Sequence, residues 1–149
     1  TAPVYVVATA NDVRSLRPEL IRRFDDVFWV DLPDRESRRE ILKLHLAKRG
    51  YDVLPESGTD QIITFLHGFS GAEIEKVVKS AIKTAYFEGV KLTTSHLLAA
   101  SRQIVPVAVT MDRQIDELRR WAENRARLAG NPLETQSMPE PDGRRIAEL

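Results

Sequence analysis

The chain has 149 residues, 42% of them hydrophobic and 30% charged, and its 22 basic and 22 acidic side chains cancel to zero net charge. That length suits one ordinary domain or two small ones, and the composition is that of a globular fold. The neutral balance counts against a protein whose main task is to grip nucleic acid or an anionic membrane, since both leave a basic footprint.

There is no cysteine, which excludes a disulfide scaffold, thiol catalysis and cysteine-rich zinc sites, and suits a reducing cytoplasm. No apolar run reaches the ~18–20 residues of a membrane span, and no secretory leader pattern is read at the start. The first residue is Thr1 and an apolar segment follows at once. We therefore expect a piece of a longer protein.

Val4-Tyr5-Val6-Val7-Ala8 is a continuous apolar run rich in β-branched and aromatic residues. Such a run reads as a strand buried on both faces, the pattern of a parallel sheet. Arg17 to Phe24 reads as a short helix with Pro18 near its start. Val27 to Val30 is a second strand candidate, closed by Asp31-Leu32-Pro33-Asp34.

From Asp34 onward the patterning is helical. Asp34 is placed to cap a helix over residues 35–49, with Lys48, Arg49 and Gly50 as its basic last turn and stop. Gln61 to His67 reads as a short helix ended by Gly68. Ser70 and Glu73 have capping-box spacing. Behind them Ile74, Val77, Val78, Ala81, Ile82 and Ala85 form an i, i+3, i+4 stripe that Gly89 closes. A further helix is expected from Thr94 through Ile104. After Pro106, Thr110 leads a last helix carrying Met111, Ile115, Leu118, Trp121 and Ala122, with Arg125 and Arg127 in its final turn. The proline-rich residues 130–149 are expected to be a poorly ordered tail.

Individual residues admit two readings each. Asn11 stands just past the first strand, where open α/β sheets bind ligands, but asparagine is also an ordinary turn residue. Arg22 and Arg23 precede the second strand. Guanidinium groups can stabilise charge on a transferring phosphoryl group, or simply finish a surface helix. His45 lies near the apolar face of its helix, where a packed histidine is commoner than a ligand. His67 and His96 show no metal-ligand spacing with it. Gly71-Ala72 opens a helix N-terminus that an anion could approach, or forms a tight turn. No phosphate-binding loop, dinucleotide fingerprint or nucleophile elbow occurs.

The order of these pieces is more specific than any one of them. Val4 to Asn11, Arg17 to Asp25, Val30-Asp31-Leu32-Pro33 and Gly68-Phe69-Ser70-Gly71-Ala72-Glu73-Ile74 resemble, in sequence, the second half of an AAA-type ATPase module. The likeness runs from the sensor-1 strand through the helical lid, roughly residues 1–104. Val105 to Met111 and the Trp121 helix are similar to a narrower group of bacterial and plastid-reading-frame AAA proteins.

The resemblance implies a mainly α chain with a small α/β remnant: the last two strands of a parallel AAA+ core sheet, then a lid bundle and a C-terminal helix. Residues 1–33 would be core, 34–104 lid, 105–129 a helical extension and 130–149 the tail. Asn11 matches sensor 1, which senses the γ-phosphate and helps place the attacking water. Arg22 and Arg23 match the paired arginine fingers that reach the neighbouring subunit's nucleotide, although many members space the two apart and this chain has them adjacent. Ile41 and His45 match lid positions flanking adenine and ribose. Gly71 and Ala72 match the sensor-2 position, without the arginine many relatives carry there. ATP or ADP with Mg²⁺ is the implied cofactor, with the Walker A and B elements and the Mg²⁺ ligands outside this chain, so that the chain alone would not hydrolyse ATP. A self-assembled ring, a protein substrate and a cytoplasmic location are implied as partners and setting.

Two other classes compete. One is a non-catalytic interaction module using Trp121 and Arg119, Arg120, Arg125 and Arg127, residue types favoured as interface anchors. The other is a helix-turn-helix DNA binder, against which the neutral charge and the acidic residues on every helix count.

Overall fold

The computed structural model describes residues 3–52 and 54–130; the expected tail beyond 130 lies outside the described residues. After a 3₁₀ turn at Val13–Ser15, the elements are α1 (Pro18–Ile21), β1 (Phe28–Trp29), α2 (Arg35–Ala47), α3 (Glu56–Phe65), α4 (Gly71–Glu88), α5 (Thr94–Ser101), α6 (Val107–Thr110), α7 (Asp112–Glu123) and β2 (Arg127–Leu128).

The core belongs to α2 through α5. Leu42 and Leu46 of α2 meet Ile62 and Ile63 of α3, Leu66 and Phe69 beyond it, Ile74, Val77, Val78 and Ala81 of α4, and Leu97 and Ala100 of α5. Full burial of each large aliphatic side chain contributes roughly 1.5–3 kcal/mol, so this cluster is the main source of stability among the described residues. The helix ends are built from local chemistry. Asp34 accepts the Ser37 N–H at 2.7 Å. Ser70 and Glu73 close the expected capping box, the Ser70 N–H donating to the Glu73 carboxylate at 2.8 Å. Gly89 ends α4 in the left-handed region, at φ 69°.

Arg38 is buried inside this bundle. Its Nε donates to the Ile63 carbonyl at 3.3 Å and its Nη1 to the Pro33 carbonyl at 3.0 Å. The guanidinium thus ties the Pro33–Asp34 junction to the last turn of α3, where the carbonyl end of the helix dipole favours a cation.

The chain after α5 returns across the bundle. The Ala108 N–H donates to the Gly68 carbonyl at 3.2 Å. Gly68 has φ 79°, and a Cβ built there would lie 2.8 Å from the Ala108 Cβ, so both backbone conformation and close approach call for glycine.

Three expectations change. Val4 to Ala8 forms no strand, and Val4, Tyr5, Val6 and Val7 are each more than 70% exposed. A strand exists only through its ladder, and no described residue supplies a partner for this one. The residues after Pro106 make not one helix but two, broken at Met111, whose φ −127° and ψ 29° are not helical. Arg127 leaves the last helical turn altogether. It pairs in β2, parallel to β1, with Phe28 opposite Arg127 and Trp29 opposite Leu128. The Arg127 N–H donates to the Val27 carbonyl and the Ala129 N–H to the Trp29 carbonyl, both at 2.8 Å. β1 is an edge with unpaired backbone groups, and pairing it satisfies them.

Candidate functional site

The expected site residues fall into three places. Ile41 and Gly71 come together. They line a cleft of about 300 Å³ at the Pro33–Asp34 junction, with Val30, Leu32, Leu128 and Gly130 among its other walls. A Cβ on Gly71 would sit 3.7 Å from the Ile41 Cδ1, an ordinary contact, so the two helices lie close here and the site has room for an alanine. The walls are predominantly apolar, and the size is at the small end for ligand sites. Among the described residues no group of three or more His, Cys, Asp or Glu side chains could hold a metal ion.

His45 lies one turn further along α2, outside this cleft, with its side chain mostly buried and its Nδ1 3.9 Å from Glu75 of α4. Burial lowers its pKa below the ordinary 6.5, opposed by Glu75 and reinforced by Arg49. Glu75 also accepts from Lys79 at 2.9 Å and from Arg49 at 2.8 Å. Hydrogen bonds from Lys79 and Arg49 hold its carboxyl at about 2. Ala72 is exposed and also lies outside the cleft.

Arg22 and Arg23 sit at the end of α1, where their N–H groups donate to the Pro18 and Leu20 carbonyls at 3.1 Å each. Both side chains are exposed, and neither forms an ion pair with a described residue. Arg22 lines a second, wider cleft of about 770 Å³. The opposite wall is the end of α7, with Trp121 and Arg125, whose guanidinium carbon lies 5.9 Å from the Trp121 ring centre. Asn11 is exposed and lines neither cleft. The structure therefore joins Ile41 to Gly71 and leaves the other expected residues apart.

Sequence reasoning missed Asp31, and Arg119 and Arg127, which the competing reading offered as interface anchors, are ion-paired within the chain. Arg119 forms a two-pronged ion pair with Asp31, Nε to Oδ2 and Nη2 to Oδ1, each 2.9 Å. The Asp31 side chain is 7% exposed. Burial raises its pKa, but the hydrogen bonds from Arg119 and the Leu32 N–H outweigh that and lower it, helped by the nearby Trp29 indole. Arg127 pairs with Asp26 at 3.2 Å. No local pattern links residues so far apart in sequence; only the parallel strand pair brings them together.

No protein-family model matches the chain. Individual relatives do. The chain is 40% identical over 131 residues to the AAA domain-containing protein ycf46 of Pyropia yezoensis, covering 86% of this chain and 27% of that one. It is 42% identical over 135 residues to ycf46 of Guillardia theta, covering 86% and 26%. The ATP-dependent zinc metalloprotease FtsH 2 of Conexibacter woesei is 35% identical over 118 residues, covering 78% and 17%. Among solved structures, the FIGL-1 AAA domain in complex with ADP superposes with a TM-score of 0.64 at 22% identity, over 76% of this chain and 42% of that one, a likeness of fold.

The likeness in sequence and fold thus marks the chain as a carboxyl-terminal fragment of an AAA+ module, mostly helical with a two-strand parallel sheet. Within the family it is similar to the ycf46 group. It spans about a quarter of the length of the ycf46 relatives, 27% and 26% of the two named here. No helix of the described residues is long and apolar enough to cross a membrane.

Proposed function

We propose that this chain is the lid and finger-bearing part of an ATPase that couples ATP binding and hydrolysis to motion of the α2–α5 bundle against an α/β core. On this reading the Pro33–Asp34 junction is the hinge, Ile41 and His45 flank the adenine and ribose, and Gly71 and Ala72 take the sensor-2 position. Asn11 orients the attacking water. ATP with Mg²⁺ supplies the phosphoryl group, held chiefly by residues outside this chain. Arg22 and Arg23 act on the nucleotide of a neighbouring subunit, where a guanidinium stabilises the charge of the transferring phosphoryl group. That role requires an oligomer, and we infer a ring assembled in the cytoplasm, working on a protein substrate. The chain alone would not turn over ATP.

The observation that carries the reading is the exposed arginine pair, held at a helix end with no carboxylate partner among the described residues. A guanidinium already neutralised by its own chain could not serve a neighbour's phosphate. In the native protein that bears this chain, replacing both Arg22 and Arg23 by alanine is expected to cut ATP turnover by about a thousandfold or more, with nucleotide binding kept. Ordinary turnover in that variant would refute the assignment. The coding sequence upstream of Thr1 is expected to contain a G-x-x-x-x-G-K-[ST] loop and an apolar strand ending in Asp-Glu.

A further inference from the structure

The α7–β2 segment is fastened to β1 at both ends. At the far end of the strand Arg119 grips the buried Asp31 with two hydrogen bonds of 2.9 Å. At the near end Arg127 meets Asp26 at 3.2 Å, and its N–H donates to the Val27 carbonyl. Between these points runs the parallel ladder. Asp26 is three residues beyond Arg23, and the cleft walled by Trp121 and Arg125 has Arg22 and Ile21 on its other side. None of the core residues lies within 3–33. The stretch that carries the arginines thus has no core of its own and is steadied from outside.

We propose that α7–β2 is a strap that positions Arg22 and Arg23, with Arg119 as its anchoring residue; this rests on the finger assignment above. A two-pronged guanidinium–carboxylate pair fixes direction as well as distance, which a lysine cannot do. The pair is also half-shielded from water, so it is worth more than an exposed one. A reacting group misplaced by about 1 Å can cost up to about a hundredfold in rate, so the strap would act on turnover without touching nucleotide.

The test compares Arg119→Ala and Arg119→Lys in the native protein, beside the double arginine variant. Three readouts are followed: kcat, nucleotide affinity, and hydrogen exchange at the Arg127 and Ala129 amides and through α2–α5. The expected result for Arg119→Ala is a kcat lowered by up to about a hundredfold with unchanged nucleotide affinity. Protection would be lost at 127 and 129 and kept in the bundle, and Arg119→Lys would fall between the two. If the double arginine variant is inactive but Arg119→Ala turns over normally, the strap role is wrong and the finger role stands. If Arg119→Ala loses bundle protection together with activity, Arg119 is only structural and the proposal is overturned. If the double arginine variant itself turns over normally, the finger assignment fails and takes this inference with it.

Discussion

The α2–α5 bundle and the stretch before it are built on opposite principles. The bundle meets its own needs: apolar residues from four helices close on one another, and α2 and α4 carry their own N-terminal caps. Residues 3–33 expose Val4, Tyr5, Val6 and Val7 and add nothing to the hydrophobic core. The difference teaches where stability resides in this chain and, on the proposed function, sets it apart from the chemistry. The self-sufficient part holds the Ile41–Gly71 side of the cleft, while the arginines sit on a part that depends on its neighbours.

The sharpest way to break this contrast is to cut matching side chains from each region. Ile62→Ala, which opens a cavity in the bundle core, is expected to cost about 2–5 kcal/mol. Val6→Ala should stay within about 0.5 kcal/mol. Urea denaturation of the chain measures both, and comparable losses would show that the first region has a core after all.

Glycine gives a finer probe. Gly68→Ala must hold φ 79° and push against Ala108, and is expected to cost about 2 kcal/mol. Gly89→Ala has a similar φ but nothing within 4 Å, and should cost about 1 kcal/mol. Equal thermal shifts for the two would mean that the 106–110 segment is not held against the bundle. At the start of α4, Ser70→Ala removes one half of the capping box and is expected to cost about 1 kcal/mol. A loss confined to the first turn of α4 in hydrogen exchange would locate it.

Much of the bundle was legible because its forces are local. Asp34, Ser70 with Glu73, and Gly89 mark helix ends through bonds made within three or four residues, and the stripe from Ile74 to Ala85 declares a buried face. The start of α3 was not legible. Residues 56–60 are polar and contain Gly58, which reads as loop. Yet a Cβ on Gly58 would collide with the Thr94 hydroxyl, so the glycine serves the contact between α3 and α5. The same limit hid β2 and Asp31. Arg127 looks like a helix terminus until a strand one hundred residues earlier is set beside it. In the candidate site, sequence order named Ile41 and Gly71 for separate places, and only the folded chain brings them to one cleft; the surroundings of Arg22 likewise depended on a return of the chain that no local pattern announces.

The smallest effect concerns charge. Glu75 is held at about 2 in the folded chain against an ordinary 4.5. Its contribution to stability is therefore complete above about pH 4.5 and is lost as the pH falls towards 2. His45, lowered from 6.5, acts in the same direction, because protonating it costs more in the folded state than in the unfolded one. Glu75→Gln is expected to flatten the acid side of a stability–pH curve between 4.5 and about 2. An unchanged slope there would mean that the Arg49–Glu75–Lys79 cluster does not persist in solution.

The parallel run of β1 and β2 has a mechanical consequence. Everything from residue 30 to residue 126 is a loop tied off at its base by the ladder and by the Asp31–Arg119 pair. Tension applied through the chain before β1 and after β2 would pull two parallel strands along their length in opposite directions. That loads their hydrogen bonds in shear, all at once, instead of peeling them one by one. A force transmitted along the polypeptide would thus meet the knot at the base first and reach the helices inside the loop only after it gives way.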